Sequence, residues 1–258
     1  MTASLGAVAG LYRHPIKGFT PERLDRAALA AGAYFPCDRL YAVEDGPCGF
    51  DSSRPAHVSR QRFTVLAKIA EVANAHTCYD ESTGVLTVQA QGREGFVGDL
   101  TLESGREAFA VWLTAFLGEA AAGPLRVLPA PQGHRFMDHP RGFVSVINLA
   151  SVRDLQQRLG RPVDPRRFRG NLLVEGWPAW IENDLVGRSV RLGEGLATVF
   201  KPIVRCAATE VDPDSGRRDI DMTRALFDAY GHVFCGVYVE ITRGCDLRTG
   251  DEVELLAA

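Results

Sequence analysis

The sequence predicts a β-rich α+β fold: a β-barrel with helical decoration, preceded by a smaller β-rich N-terminal domain. Three observations predict it. Short alternating or β-branched segments, bounded by Gly, Pro, Asn or Asp, recur along the chain as strands and turns do. Only three segments carry an apolar stripe at helical spacing. The stretch Ala120-Ala-Ala-Gly-Pro124 reads as a linker and divides the 258 residues into units spanning 1–120 and 121–258.

The first strand covers residues 7–13 and ends at His14-Pro-Ile-Lys17-Gly18, where proline and glycine place Lys17 in a loop. Residues 23–30 fit a second strand or a short amphipathic piece. Residues 38–43 alternate as another strand, with Arg39 at its start and directed toward Lys17. Residues 46–59 are rich in Gly, Pro and Ser and read as a long loop. Residues 67–78 and 84–91 are expected as strands joined by Asp80-Glu-Ser-Thr-Gly84, with 96–102 as a further strand. Ser104-Gly-Arg-Glu107 has capping-box spacing. It predicts a helix with Ala108, Val111, Trp112, Ala115 and Phe116 on one face and a stop at Gly118.

In the second half, strands at 125–128 and 143–147 flank a polar loop at 132–142. Ser151-Val-Arg-Asp154 repeats the capping pattern, so Ser151 is expected as a cap, with Val152, Leu155 and Leu159 as the stripe. Arg166-Arg-Phe-Arg169-Gly-Asn171 gathers cations and an amide before a strand. Arginine suits bidentate phosphate recognition, and Asn both donates and accepts. Strands follow at 187–192, 197–200 and 207–211, then a turn at Asp212-Pro-Asp-Ser-Gly216. Asp221 is expected to cap a short helix through Tyr230, with Leu226 and Phe227 inward. Strands at 234–242 and 250–255 close the chain.

The composition is that of an ordinary globular protein, 46% apolar and 24% charged. A net charge of −3 argues against a general nucleic-acid binder, because phosphate binding wants a basic surface; a local basic pocket remains open. No run approaches the ~20 apolar residues of a membrane helix. The N-terminal stretch lacks a basic leading segment, so no membrane association and a cytoplasmic location are expected. The six cysteines form no C-x-x-C pair, which argues against a zinc ribbon, a thioredoxin motif and a ferredoxin-type cluster. P-loop, dinucleotide-binding, G-x-S-x-G and H-E-x-x-H patterns are absent. His134 and His139 flank Asp138 but lie in a polar loop and read as solvated groups.

The most informative stretch is Lys201-Pro-Ile-Val-Arg205-Cys206, between strand and turn. A neighbouring guanidinium favours thiolate, the form that binds metals and attacks electrophiles. A single cysteine is also, and more often, a small buried hydrophobe. On the functional reading, Cys206 and Arg205 join Lys17, Arg39, Arg169, Asn171 and the Tyr238 phenol in one pocket. That set suits an anionic cofactor with a soft metal centre.

Four collinear segments resemble the MOSC family, named for the C-terminal domain of molybdenum cofactor sulfurase. Lys201-Pro-Ile-Val-Arg-Cys206 through Val211-Asp-Pro-Asp-Ser-Gly216 resembles its cysteine motif. Tyr12-Arg-His-Pro-Ile-Lys17-Gly18 and Cys37-Asp-Arg39-Leu-Tyr-Ala-Val43 resemble the β-rich domain that commonly precedes it. Arg167-Phe-Arg169-Gly-Asn171 resembles its F-R-x-N segment. Phe234-Cys-Gly-Val-Tyr238-Val-Glu, followed by Arg248-Thr-Gly-Asp-Glu-Val253, resembles its closing strands.

The resemblance implies a MOSC β-barrel and a molybdenum–pyranopterin cofactor. It implies Cys206 as metal ligand, as in relatives such as the mitochondrial amidoxime-reducing component, and no pyridoxal phosphate. Lys17, Gly18, Arg39 and Arg169 match cofactor-binding positions, and Asn171, Arg205 and Tyr238 match the same pocket. Arg141 is the candidate from the loop before residue 143. The implied activity is reduction of N-hydroxylated or N-oxide small molecules by oxygen-atom transfer. Electrons would come from a separate ferredoxin-, flavodoxin- or cytochrome-type protein. The alternative is a molybdenum cofactor carrier, or a persulfide carrier at Cys206, without redox turnover. Two departures stand out: Gly18 replaces the family's usual Ser, and Ile203 replaces the Cys of the common K-P-C.

Overall fold

A computed structural model describes residues 5–256; residues 1–4 and 257–258, the ends of the two expected domains, lie outside the described residues. The chain opens with β1 (Leu5–Arg13), β2 (Glu22–Leu24), β3 (Arg26–Leu29) and β4 (Tyr41–Asp45). Then come β5 (Ala75–Tyr79), β6 (Val85–Ala90), β7 (Phe96–Asp99), α1 (Glu103–Leu117) and β8 (Leu125–Pro129). The second half comprises β9 (Val144–Asn148), α2 (Leu149–Leu159), β10 (Leu172–Glu175), β11 (Ser189–Leu192) and β12 (Gly195–Val204). It ends with α3 (Met222–Tyr230), β13 (Phe234–Arg243), β14 (Cys245–Arg248) and β15 (Glu252–Leu255).

Seven strands form a closed barrel in the order β10-β9-β13-β12-β11-β15-β1, sealed by β1 on β10, with β2 hanging from β1. Its only parallel pair among the described residues is β9–β10, and α2 supplies the crossover that such a pair needs. The barrel is filled by inward-facing aliphatics such as Val8, Leu11, Val146, Leu172, Val199, Val237 and Val253. A second core lies under the sheet β5-β6-β7 and α1, where Phe19, Phe96 and Phe109 meet at centroid distances of 5.1–6.0 Å. The two halves interleave: β1 belongs to the barrel, whereas β8 returns to pair with β4. The barrel and the N-terminal β unit match the fold class expected, and no helix among the described residues is long and apolar enough to cross a membrane.

Several local expectations are corrected. Residues 67–78 are not one strand: 70–74 form a 3-10 turn, and only 75–79 pair with β6. Ser104 lies inside α1 and caps nothing, since the N-cap is Leu102. The buried face of α1 is Phe109, Ala110, Leu113 and Leu117, and Val111 is exposed. The helix is apolar on more than one side, and packing of Phe109 against Phe19 and Phe96 selects the face. In α2 the cap is Asn148, whose side chain accepts from the Ala150 N–H. Ser151 instead points inward and donates to buried Glu182 at 2.7 Å. Asp221 caps α3 as expected and Leu226 is buried, but Phe227 faces solvent. Residues 207–210 form a 3-10 turn in place of a strand.

Candidate functional site

β12 ends at Val204, and its register against β13 shifts twice between Val199 and Val204. Arg205 remains tied to the segment before β13, its N–H donating to Val233 O at 2.9 Å. Cys206 follows in extended conformation (φ −140°). The 3-10 turn pins it, because the Thr209 N–H and hydroxyl both donate to Cys206 O, at 3.0 and 2.9 Å. The small alanines at 207 and 208 permit this tight return. The expected turn then forms, with Asp212 accepting from the Ser215 N–H and hydroxyl. Arg167, nearly inaccessible, clamps it through Asp212 and Asp219 at 2.9 and 2.8 Å.

The loop after β1 supplies the facing wall. Lys17 is 4% exposed; its Nζ donates to Phe136 O at 2.9 Å and pairs with Asp138. Gly18 has φ +86° and lies flat on the neighbouring loop, where an added Cβ would come within 2.7 Å of Val65 Cα. The family's usual serine therefore has no room in this chain. Arg39 and Arg169 both adopt left-handed backbone, φ 48° and 52°. Arg39 is not at a strand start as expected; it sits in a turn before β4, its N–H donating to His14 O at 2.7 Å. Its guanidinium pairs with buried Asp38, which also accepts from the His14 N–H at 2.6 Å.

These walls enclose two adjoining lobes, about 170 and 40 Å³, that share Arg39, Asp138, Arg169 and Cys206 in their lining. Lys17, Gly18, Arg39, Arg169, Arg205, Cys206 and Tyr238 are thus brought together. Arg141 and Asn171 are not in the lining. The Arg141 guanidinium, half exposed, stacks 4.2 Å over Phe200 and pairs with Glu240 at 2.9 Å. Fully buried Asn171 accepts from the Ser145 N–H and hydroxyl and donates to Tyr12 O, fastening β10 to β9 and β1. A larger hollow of about 600 Å³ between α1 and β8 contains none of the expected site residues.

Positive charge dominates the cleft. Lys17, Arg39, Arg60, Arg169, Lys201 and Arg205 line it beside the clamped Arg167, against one lining carboxylate, Asp138. Burial, then Arg39, pushes the Arg169 guanidinium down to about 9. Burial also lowers Lys17 against the pull of Asp138, and lowers Arg205. Asp138 is packed around by protein yet open to the cleft. Burial opposes its charge, but Lys17, Arg39 and Arg169 together hold it well below the usual carboxylate range. The Tyr238 phenol is raised by burial first and by Asp138 next. Beneath the cleft, His14 is completely buried with neither ring nitrogen hydrogen-bonded; Nδ1 stands 3.5 Å from Asp38, too poorly placed to count as a bond. Burial, then Arg39 and Arg169, pushes it down to about 3.

Four of these groups are not singled out as site residues by the sequence. Arg60 opens a 3-10 turn without a motif, and Asp138 reads as a loop polar group. Lys201 and His14 lie inside the family-like segments but carry no role there.

Two family models match the chain in tandem, the MOSC N-terminal beta barrel domain over residues 5–123 and the MOSC domain over 133–254. The chain belongs to the MOSC family. That family is associated with molybdenum cofactor binding. Among solved structures, YuaD from Bacillus subtilis aligns with 98% of this chain and 96% of its own, at 12% identity and TM-score 0.45. YiiM from Geobacillus stearothermophilus aligns with 46% of this chain and 56% of its own, at 18% identity and TM-score 0.36. YiiM from Escherichia coli aligns with 45% and 55%, at 16% identity and TM-score 0.34. No curated protein sequence matches the chain.

The residues of this MOSC chain fit the family's cofactor on three counts. Cys206 offers a soft sulfur donor at the junction of the lobes. The cation excess suits a phosphate. Gly18 brings backbone close to the smaller lobe without a side chain. Among the described residues no group of three or more His, Cys, Asp or Glu side chains is placed to hold a metal without such a cofactor.

Proposed function

We propose that this MOSC protein is a molybdenum-cofactor-dependent oxidoreductase that reduces small N-hydroxylated or N-oxide compounds by oxygen-atom transfer. The observation that carries this reading is the position of Cys206, a thiol lining a cleft in which six cations face one lining carboxylate. When bound, the cofactor would supply two-electron chemistry at a molybdenum centre. The chain's own residues bind and orient. Lys17, Arg39 and Arg169 hold the cofactor phosphate, and the Cys206 thiolate ligates the metal. Buried Asp38 fixes the Arg39 guanidinium. Tyr238 presents its hydroxyl to the same cleft with the proton retained at neutral pH, because burial raises it. Electrons come from a separate ferredoxin-, flavodoxin- or cytochrome-type protein, and the reaction takes place in the cytoplasm.

The test is the molybdenum and pterin content of protein from a cofactor-producing host, wild type beside Cys206→Ser. Near-stoichiometric metal in the wild type, with loss or an altered metal spectrum in the variant, supports the reading. Well-folded wild type carrying neither metal nor pterin overturns it. The Cys206 thiol would then be searched by mass spectrometry for the persulfide of a sulfur carrier.

A further inference from the structure

The two lobes that meet at Cys206 differ in their cations. The smaller holds Lys17 and Gly18, and Lys17 already has Asp138 as counter-ion. The larger holds Lys201, Arg205, His139 and Tyr238. Lys201 sits opposite Tyr238 in the β12–β13 pairing, so both side chains stand on the cleft face of the sheet. Arg205 directs its donors at backbone carbonyls, Phe168 O at 2.7 Å and Cys235 O at 2.8 Å, so no carboxylate offsets its charge. Neither Lys201 nor Arg60 enters an ion pair among the described residues. Arg60 lines both lobes and also an outer hollow of about 220 Å³ with His57, Ser59, Gln61 and Asp138, so it stands where the cleft opens to solvent. The local potential is felt by His139, which is lowered by burial first and by Lys201 next.

A phosphate in the smaller lobe leaves Lys201, which lines the larger lobe and not the smaller, without an anion. Cations held in a partly enclosed cleft favour an anionic occupant far more than the same cations in bulk water. Resting on the molybdenum-enzyme reading, we propose that the larger lobe selects small substrates that carry a carboxylate-sized negative group, with Lys201 as its binding partner and Arg60 as the charge at the entrance. A neutral substrate of the same shape leaves Lys201 unpaired and binds more weakly.

The test uses holoprotein of measured molybdenum and pterin content, a reduced dye as electron source, and two matched substrates. One is an aromatic amidoxime bearing a carboxylate, the other its carboxamide. Wild type, Lys201→Gln, Arg60→Gln and the double variant are compared. The expected result is a wild-type preference for the carboxylate in kcat/KM, reduced about tenfold or more in Lys201→Gln, as loss of a charge-assisted contact does. KM for the carboxylate rises with salt and KM for the carboxamide does not. Calorimetry with the carboxylate-bearing amidine product gives the same loss of affinity without turnover. An unchanged preference in all four proteins overturns the proposal. So does loss of pterin from Lys201→Gln, which would assign the lysine to the cofactor. If wild type carries no molybdenum, the enzyme reading fails by itself. The same calorimetry on metal-free protein then still decides the anion preference: binding that Lys201→Gln abolishes supports it, and binding absent or unchanged overturns it.

Discussion

Replacing His14 with leucine should remove an acid weakness built under the cleft. His14 is fully buried, with no hydrogen bond to either ring nitrogen, and is held down to about 3 by burial and by Arg39 and Arg169. In the unfolded chain the same imidazole titrates near 6.5. Between these values the unfolded state binds a proton that the folded state refuses, so stability falls as pH falls through that window. At 1.36 kcal/mol per pH unit, lowering the pH to 4.5 costs about 2–3 kcal/mol from this group. The carboxylate partner does not blur the effect, because Asp38 is held charged to well below pH 4.5 despite its burial, by Arg39 and by the His14 backbone N–H. Leucine has a similar volume and no proton to refuse. The assay is urea unfolding of metal-free wild type and His14→Leu at pH 7.5 and 4.5. The difference between the two proteins should shift by about 2–3 kcal/mol in favour of the variant on acidification. Parallel pH dependence in both proteins would refute the reasoning and show that the acid response belongs to other groups, such as His134 and His139.

Two further outcomes follow from the same walls. Gly18→Ser should destabilise by about 2–5 kcal/mol, combining the left-handed backbone cost with a contact against Val65 and Thr64; a loss below about 1 kcal/mol in chemical denaturation would mean that the loop yields easily. Arg169→Gln should leave the metal-free protein as stable as wild type or more so, by on the order of 1–3 kcal/mol after solvent screening, because the folded cleft disfavours that charge. Pterin retention should nonetheless weaken about 10- to 150-fold, since a charge-assisted phosphate contact is lost. A less stable metal-free variant with normal pterin content would make Arg169 a structural residue.

The barrel was legible because its strands are short, alternating and punctuated, and because the collinear motifs carry the family pattern. Cys206, Lys17 and Arg169 could be named from those motifs alone. Backbone conformation was less legible. Residues 38–43 alternate like a strand, yet Cys37 and Arg39 are in left-handed turns that no glycine announces. The segment after Cys206 has strand-like neighbours but folds as a 3-10 turn, because Thr209 bonds back to the cysteine carbonyl. In α1 the sequence offers two apolar faces, and only the tertiary partner of Phe109 decides between them. Asn171 looked like a ligand because its amide can both donate and accept; that capacity is taken up by Ser145 and Tyr12 in closing the barrel. Pairing of β1 with β15 and of β8 with β4 joins residues far apart in sequence, which local patterns cannot reveal.

The pairing of β1 with β15 also sets a schedule for biosynthesis. Leu5–Ala7 have their partners at Glu252–Glu254, so the first barrel strand to leave the ribosome is completed by nearly the last. At about 5–20 residues per second the nascent strand waits roughly 10–50 s for its mate. During that interval β1 shows the free backbone edge that invites mispairing, and contacts this distant in sequence close slowly. Cys206 and the cations of the cleft are already made by then. The pocket walls therefore exist as chain before the barrel that holds them is sealed.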